Sequence, residues 1–399
     1  MNVPKLRFKE FNDEWTKIDL STCFEYFSTN SLSREQLSDH GIIKNIHYGD
    51  IHKKYGNVVD VENDVATYIK DTDQINKYEF CCENDIIFAD ASEDYDGIGK
   101  AIELINVNEK LVSGLHTIHA RDKKQFFSPL FKGYYFNTPI IHNQIRILAN
   151  GFKVFGISKD NINNLKVMLP SKQEQEKIAK LLSLLDKKIQ LQTKKIEALK
   201  LFKLSITQNI FNEKKLNDFQ SVTLEKILKP GSKIPVKNTS EYEKMTVKLN
   251  FKGLAKLETK KEMADTRPFY VRNENEIIIG KQNYFNGSIA KVTKDFKGCI
   301  CSNAIMSFTT INGVNVDYVL YYLSQKNYIN RRKFLANGTG QKELSEKEFL
   351  KFVIKLPSTQ IQNNISKKIS CVSNLLLLEN KKLTTLNNLK KGLLQNLFI

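Results

Sequence analysis

The sequence lacks the patterns that mark membrane, secreted and metal-bound proteins. No run of about 20 apolar residues occurs, and the opening MNVPKLRFKE has no apolar signal region. The six cysteines never form the paired CxxC spacing of a zinc site. We therefore expect a soluble, cytoplasmic protein with free thiols and no bound metal.

Sequence patterns of catalysis are absent as well. The chain has eight prolines but no Pro-Pro pair, so it lacks the Asn/Asp-Pro-Pro-aromatic motif of an adenine methyltransferase. It shows no HExxH, no GxSxG, no GxxxxGK[ST] and no PD…(D/E)xK nuclease pattern. The sequence therefore predicts a protein without catalytic residues of its own.

One long stretch, residues 171–211, occurs twice at a shift of 187 residues without a gap. Each copy follows a Leu-Pro pair, and proline interrupts neither copy. Apolar residues recur at alternating steps of four and three, the seam of a coiled coil. The residues predicted to pair the two helices are Ile178, Leu182, Leu185, Ile189, Ile196, Leu199, Ile365, Ile369, Val372, Leu376, Leu383 and Leu386.

The polar residues in this seam predict the relative direction of the two helices. A parallel, in-register pair would place Lys203 beside Lys390, two like charges in an apolar strip. An antiparallel pair with Ile178 opposite Leu397 places each lysine opposite an apolar residue. We therefore expect two globular domains held apart by an antiparallel helical rod, although two ordinary amphipathic helices on separate cores are the alternative.

The net charge of +17 is typical of a polyanion-binding protein, and it is unevenly distributed. Residues 1–171 carry 20 Lys+Arg against 24 Asp+Glu, whereas residues 212–357 carry 26 against 15. The second domain therefore has the basic excess. The first domain must bind any polyanion through a local cluster or through contacts that are not mainly electrostatic.

Three segments combine basic, aromatic and amide side chains that suit contacts to phosphates and bases. Residues 41–60 are predicted to form a strand, a loop and another strand, with a solvated hairpin as the alternative. A polar turn and an exposed helix face are the alternatives for the other two segments. The candidate DNA-binding residues are Lys44, His47, Tyr48, Lys53, Lys54, Tyr55, Lys281, Gln282, Asn283, Tyr284, Asn286, Arg331, Arg332 and Lys333. His116 and His119 have no obvious third ligand nearby, so a strand with mixed faces is favoured there over a metal site.

The repeated unit resembles the specificity subunit of type I restriction–modification enzymes. The resemblance rests on residues 157–189, on the weaker second copy at 344–370, and on the helix endings SITQNIF and GLLQNLF. The segment IHYGDIHKKYG (46–56) is similar to the start of that family's target-recognition domains. The second copy departs from the first at Ser373, which stands where the first copy has Asp186.

The resemblance implies an α+β fold of two mixed α/β target-recognition domains, separated by an antiparallel two-helix coiled coil with pseudo-two-fold internal repetition. The domains are residues 1–170 and 212–357, and the spacer helices are 171–211 and 358–399. The implied function is non-catalytic reading of a bipartite site on double-stranded DNA. Two modification (methyltransferase) subunits would dock on the helices and restriction (translocase-nuclease) subunits would join them, with S-adenosylmethionine, ATP and Mg on these partners. An interaction scaffold that binds acidic proteins, or a stand-alone restriction enzyme with degenerate motifs, is the alternative.

Overall fold

A computed structural model describes residues 3–72, 75, 77–151, 153–257, 267–333 and 343–399. The chain forms two compact units, one of residues 1–195 with 380–399 and the other of residues 196–379. Each unit has its own hydrophobic core. No helix in the described ranges is long and apolar enough to cross a membrane.

The first unit combines short strands with small helices and part of each long helix. Its strands are β1 (Thr16–Ile18), β2 (Phe24–Phe27), β3 (Leu37–Ser38), β4 (Lys44–Ile46), β5 (Val58–Asp60), β6 (Tyr68–Ile69), β7 (Ile86–Ala89), β8 (Ala91–Ser92), β9 (Ala101–Ile105), β10 (Leu111–Ser113), β11 (Thr117–Asp122), β12 (Phe155–Gly156) and β13 (Val167–Leu169). Its helices are α1 (Tyr48–Lys53), α2 (Val61–Asp64), α3 (Phe131–Tyr135), α4 (Pro139–Leu148), α5 (Lys159–Asn163) and the start of α6 (Lys172–Ile210).

The second unit repeats much of this pattern. Its helices are the end of α6, then α7 (Glu213–Leu216), α8 (Val316–Leu323), α9 (Lys326–Asn330), α10 (Glu346–Leu350) and most of α11 (Thr359–Asn396). Its strands are β14 (Gln220–Thr223), β15 (Leu228–Pro230), β16 (Met245–Val247), β17 (Leu254–Lys256), β18 (Phe269–Val271), β19 (Ile277–Gly280), β20 (Ile289–Lys291), β21 (Ile300–Ser302), β22 (Ile305–Thr310) and β23 (Val353–Leu356).

The central sheets of the two units share one strand order, and this order shows the internal repeat. The first unit has β2-β11-β7-β9-β5, and the second has β15-β22-β19-β20. The strand that enters each long helix pairs with the first strand of its domain, β13 with β1 and β23 with β14. Among the described residues, only the first unit adds β5 and the four-stranded sheet β10-β4-β6-β3. The two domains are therefore related but unlike.

The ends of the long helices pack in equivalent ways. Phe211, just after α6, has its ring centroid 5.7 Å from that of Tyr318 and 5.5 Å from that of Tyr322 in the second unit. Phe398, which is 187 residues later, lies 5.7 Å from each of Phe131 and Tyr135 in the first unit. The end of each helix is therefore fixed by a buried aromatic cluster of the same design.

Contacts within each unit confirm the antiparallel direction. In the first unit the core around Ile178 and Leu182 includes Leu397. In the second unit a groove is lined by Ile206 and Ile210 of α6 and by Val372 of α11. None of the twelve residues predicted to pair the helices is exposed, and Ile178, Leu182, Leu185, Ile196, Ile369 and Leu386 are buried. The predicted fold class and internal repeat are confirmed.

The two lysines in the seam have different surroundings. Lys390 Nζ lies 2.6 Å from Asp186 Oδ1 and over the ring of Tyr134, whose hydroxyl donates to Asp186 Oδ2 at 3.0 Å. Burial lowers the pKa of Lys203, for which the described part of the chain offers no ion pair. Where the second copy has Ser373 instead of Asp186, Tyr321 bonds to Ser370 Oγ at 2.9 Å. The repeat therefore keeps the aromatic hydroxyl but not the acid.

A buried glutamine near the start of each long helix joins that helix to its domain. Gln175 accepts the Ser128 N–H at 2.8 Å and donates to the carbonyl oxygen of Pro170 at 3.1 Å. Its counterpart Gln362 accepts the Asn315 N–H at 2.8 Å and donates to the carbonyl oxygen of Pro357, also at 2.8 Å. The same amide therefore satisfies buried backbone groups at the same place in both copies.

We expect Gln175→Ala to destabilise the first unit by about 1–3 kcal/mol, because it leaves the buried N–H of Ser128 without an acceptor. Gln173→Ala, two residues earlier on the exposed side of α6, is the matched control and should change little. Urea unfolding followed by tryptophan fluorescence measures the effect, since Trp15 is buried in the affected core. Equal midpoints for both variants would contradict the structural role of this amide.

Candidate nucleic-acid interface

The segment at 41–60 folds as strand, short helix and strand rather than as the predicted strand, loop and strand. The helix α1 begins at Tyr48 because the ring Nδ1 of His47 accepts the N–H of Gly49 at 3.1 Å and caps it. Asp50 lies inside the first turn, 1% exposed, between Arg34 at 2.8 Å and Lys54 at 3.0 Å. Burial acts to raise the pKa of Asp50, but these two cations hold it below its ordinary value.

Three of the predicted DNA-binding residues in this segment lie inside the protein instead. Lys44 is 1% exposed, and its Nζ donates to the carbonyl oxygen of Val61 at 2.8 Å and pairs with Glu109 at 3.0 Å. His47 serves as the helix cap and Tyr55 packs in the core below α1. The sequence pattern was misleading for Lys44 because a strand residue can face either way, and for His47 and Tyr55 because the helix α1 was not predicted.

Tyr48, Lys53 and Lys54 remain accessible and form the outer surface of α1. Tyr48 is surrounded by imidazoles, with ring centroids at 4.7 Å to His47, 6.1 Å to His52 and 5.3 Å to His116. His116 in turn lies 3.2 Å from the carboxylate of Asp90. Asp90 and His116 were missed by the sequence analysis because they are 42 and 68 residues away from Tyr48 in the chain.

In the second domain the candidate segment follows the buried strand β19. Gln282 and Asn286 are exposed, and Asn286 donates to Asn283 Oδ1 at 3.2 Å. Lys281 is partly covered, with its Nζ 3.9 Å from Glu343. Tyr284 is fully buried, and its hydroxyl donates to the carbonyl oxygen of Leu323 at 3.1 Å. The prediction that Tyr284 contacts DNA is therefore wrong, since its ring belongs to the core.

In the basic run at 331–333, two residues contact other side chains of the domain, and the third is exposed to solvent. Arg332 stacks on Tyr328 with its guanidinium carbon 3.5 Å from the ring centroid, and it donates to the Tyr328 carbonyl at 3.1 Å. Arg331 forms an ion pair with Glu213. Lys333 is exposed and has no ion pair in the described part of the chain. Lys333 is thus the member of this run that is most available to a phosphate.

A buried group of potential metal ligands, Cys81, Asp85 and His119, lies beneath the first domain's surface. Asp85 already accepts from His119 Nε2 at 2.7 Å and from both Nε and Nη2 of Arg121 at 2.9 Å. Burial raises the pKa of the Cys81 thiol well above its ordinary value, which opposes thiolate ligation. The guanidinium of Arg121 already supplies the positive charge that a metal ion would bring to Asp85. The group therefore fits a buried ion-pair network better than a metal site.

The long helices expose apolar side chains outside the pairing seam. In the first unit these are Leu184, Leu191 and Leu389. In the second unit they are Leu201, Phe202, Leu204, Leu375, Leu377 and Leu378. Both long helices therefore carry several exposed apolar side chains, which are available to contact another protein.

Comparison with known proteins identifies the class. The sequence model described as "Type I restriction modification DNA specificity domain" matches residues 12–201 and again residues 211–388. Two such domains, each followed by a long helix, define a specificity subunit of a type I restriction–modification system. The chain belongs to the type I restriction modification DNA specificity domain family.

Similar proteins agree over the full length. The putative type I restriction enzyme MjaX specificity subunit of Methanocaldococcus jannaschii is 24% identical over 427 aligned positions, covering 98% of this chain and 95% of that protein. The solved S subunit of a type I restriction–modification system from M. genitalium superposes with a TM-score of 0.62 at 17% identity, covering 100% and 99% of the two chains. A further solved chain, from a study of assembly of the type I R-M system, gives 0.51 at 14% identity over 97% and 98%.

Proposed function

We propose that this chain reads a bipartite site on double-stranded DNA, with one domain for each half-site, and performs no catalysis itself. The supporting observation is that one domain–strand–helix unit occurs twice with the same sheet order but with unlike surface segments. Unlike surfaces on equivalent scaffolds suit the reading of two different sequences. The scaffold and stand-alone enzyme hypotheses gain no support from the family or from the similar structures.

The two domains would differ in how much of their DNA binding comes from electrostatic attraction. Residues 212–357 carry the basic excess, and exposed Gln282, Asn286 and Lys333 offer two amides and an ammonium. Amides can pair with adenine in the major groove, whereas the lysine suits phosphate. Residues 1–171 are slightly acidic, so the surface around Tyr48, Lys53 and Lys54 would depend more on ring contacts and local hydrogen bonds.

The exposed apolar residues of α6 and α11 support docking of partner proteins on the helices. We propose that two methyltransferase subunits bind there and that restriction subunits join the resulting complex. S-adenosylmethionine, ATP and Mg would then be bound by those partners. The pairing seam does not compete for the same residues, because its apolar side chains face the other helix.

Reconstitution with the methyltransferase subunits tests this proposal. The complex should methylate DNA at one bipartite sequence, which sequencing of the modified bases would reveal. The chain alone, supplied with S-adenosylmethionine, magnesium and varied DNA, should neither methylate nor cleave. Turnover by the isolated chain, or methylation without sequence preference by the complex, would contradict the proposal.

A pair of substitutions separates base reading from phosphate binding in the second domain. Gln282→Ala should weaken binding to the cognate sequence by about 1–3 kcal/mol and relax specificity at one position of the second half-site. Lys333→Gln, the matched control, should weaken all sequences alike and reduce the slope of log affinity against log salt by about 1. Fluorescence anisotropy across a salt series measures both effects. Loss of the same size on cognate and scrambled DNA in Gln282→Ala would exclude a base contact.

A further inference from the structure

The imidazoles around Tyr48 form a group that the sequence distributes over three elements. His47 caps the start of α1, His52 lies in its last turn, and His116 lies in the turn between β10 and β11. Asp90 follows β7 directly. Backbone hydrogen bonds join these elements, from the Tyr48 N–H to the Leu115 carbonyl at 3.3 Å and from the Asp90 N–H to the His116 carbonyl at 3.1 Å. We refer to Tyr48, His52, Asp90 and His116 as the imidazole patch.

Two of the histidines have one ring nitrogen committed to the fold. Nδ1 of His47 accepts the Gly49 N–H, and burial together with the charge of Arg34 lowers the pKa of His47. Nε2 of His52 lies 2.9 Å from the Ala91 carbonyl oxygen, which can only accept, so this nitrogen donates. These hydrogen bonds join both rings to the fold on either side of Tyr48.

His116 differs because one of its nitrogens is free to contact a ligand. Its side chain is 51% exposed, and its Nδ1 lies 3.2 Å from the carboxylate of Asp90, so Nδ1 carries the hydrogen. In the neutral ring Nε2 is then only an acceptor, but in the protonated ring it becomes a donor. A donor at this position can bond a phosphate oxygen or the acceptor edge of guanine.

The backbone at His116 supports a functional reading of this turn. His116 has φ of 54°, in the left-handed region that a non-glycine residue adopts at some cost in free energy. This conformation aims its carbonyl oxygen at the Asp90 N–H while the ring faces Tyr48 at 80°. Burial raises the pKa of Asp90, and the nearby imidazole partly offsets this increase.

We propose that the imidazole patch contacts the first half-site through a protonated His116, so that binding of this half-site takes up a proton while binding of the second half-site does not. The inference rests on the proposed DNA-reading function. The charged and titratable groups that face His116 or its neighbours are Asp90, His47, His52, Tyr48, Arg34, Asp50, Lys54 and Lys100. All six histidines precede residue 143, so the second domain contains no imidazole.

The physical reason for proton uptake is electrostatic. Residues 1–171 carry a net negative charge, which disfavours approach to DNA, and protonation of His116 beside Asp90 neutralises this pair at the point of contact. The phosphates of DNA then favour the charged imidazole further. Among side chains, an unperturbed imidazole is the one that changes charge between pH 5 and 8, and the test below spans part of that range.

The test measures binding of the methyltransferase-loaded complex to a duplex that carries the sequence found by methylation sequencing, at fixed ionic strength. Raising the pH from 6.0 to 7.5 should weaken binding by about tenfold, close to the linkage of one proton. His116→Asn, which tolerates the left-handed backbone, should reduce this change to less than about twofold. His40→Asn is the matched control, because His40 forms a similar pair with Asp39 but is 90% exposed and lies outside the patch.

A second substitution in the first domain and one in the second domain separate a failure of this inference from a failure of the proposed function. His116→Gln also lacks a titratable ring and should flatten the pH dependence, so it carries the test if His116→Asn has a lowered melting temperature. Lys333→Gln should weaken binding by the same factor at both pH values. Sequence-specific binding with no pH dependence in the parent chain, or with the parent's pH dependence retained in His116→Asn and His116→Gln, would overturn the inference alone. No sequence-specific binding at either pH would overturn the proposed function and the inference with it.

Discussion

A chain that lacks one heptad from each long helix, residues 189–195 and 380–386, should direct methylation to a site with a shorter spacer and unchanged half-sites. The two deleted segments are matched layers of the antiparallel seam, in which Ile189 is opposite Leu386 in the predicted register. Removing seven residues at about 1.5 Å each shortens a helix by about 10 Å, or roughly three base pairs at ~3.4 Å. The whole heptad is removed so that the apolar seam stays in phase.

Sequencing of modified bases, with the parent chain beside the deletion, measures the spacer directly. Deletion of residues 189–195 alone is the control, because it leaves α6 one heptad shorter than α11, so that Phe211 and Phe398 cannot both reach their aromatic clusters. We expect that control to lose assembly and methylation. An unaltered spacer in the matched double deletion would show that the helices do not determine the distance between half-sites.

The largest effect on stability is expected from Lys132→Met in the first unit. Lys132 and Glu103 form a buried ion pair at 2.9 Å with side chains 2% and 0% exposed. Glu103 also accepts the N–H groups of Leu130 at 3.0 Å and Gly133 at 2.8 Å, so it fixes the start of α3. Removing only the lysine leaves a buried carboxylate unpaired, which costs about 3–5 kcal/mol.

Lys123→Met is the matched control, because Lys123 pairs with Glu25 at 2.7 Å on the surface, where such a pair contributes about 0–1 kcal/mol. Adding Glu103→Gln to Lys132→Met should recover part of the loss, since it removes the buried charge. The midpoint of thermal unfolding, followed by the fluorescence of Trp15, measures all three variants. Equal shifts for Lys132→Met and Lys123→Met would contradict the assignment of Glu103 as a buried ion.

The helix pairing could be predicted because its signal is periodic and long. Twelve apolar residues at heptad spacing, with Lys203 and Lys390 as the polar interruptions, leave one arrangement that avoids like charges in the seam. The structure adds what the spacing does not contain, namely that Asp186 and Tyr134 provide partners for Lys390. It also shows that Gln175 and Gln362 join the helices to their domains by the same hydrogen bonds.

The candidate DNA-binding residues could be predicted only by segment. Lys44, Tyr55 and Tyr284 belong to segments whose composition suits DNA, but their side chains point into the domain cores. Lys44 lies in a strand of three residues, and Tyr55 and Tyr284 lie beside or in short helical turns, and segments this short give no period from which a buried face can be read. His116 was noted in the sequence only as a weak candidate metal ligand, and its pairing with Asp90 gave no signal, because the turn and the strand end that bring them together are distant in the chain.

The sequence by itself therefore determined the duplication, the α+β class, the direction of the helices and the family, because each depends on a pattern repeated over many residues. Only the tertiary structure decided which polar side chains reach the surface and which are buried with partners. The physical reason is that burial of a single lysine or tyrosine depends on the neighbours that satisfy it. Those neighbours come from strands and turns that the local sequence does not specify.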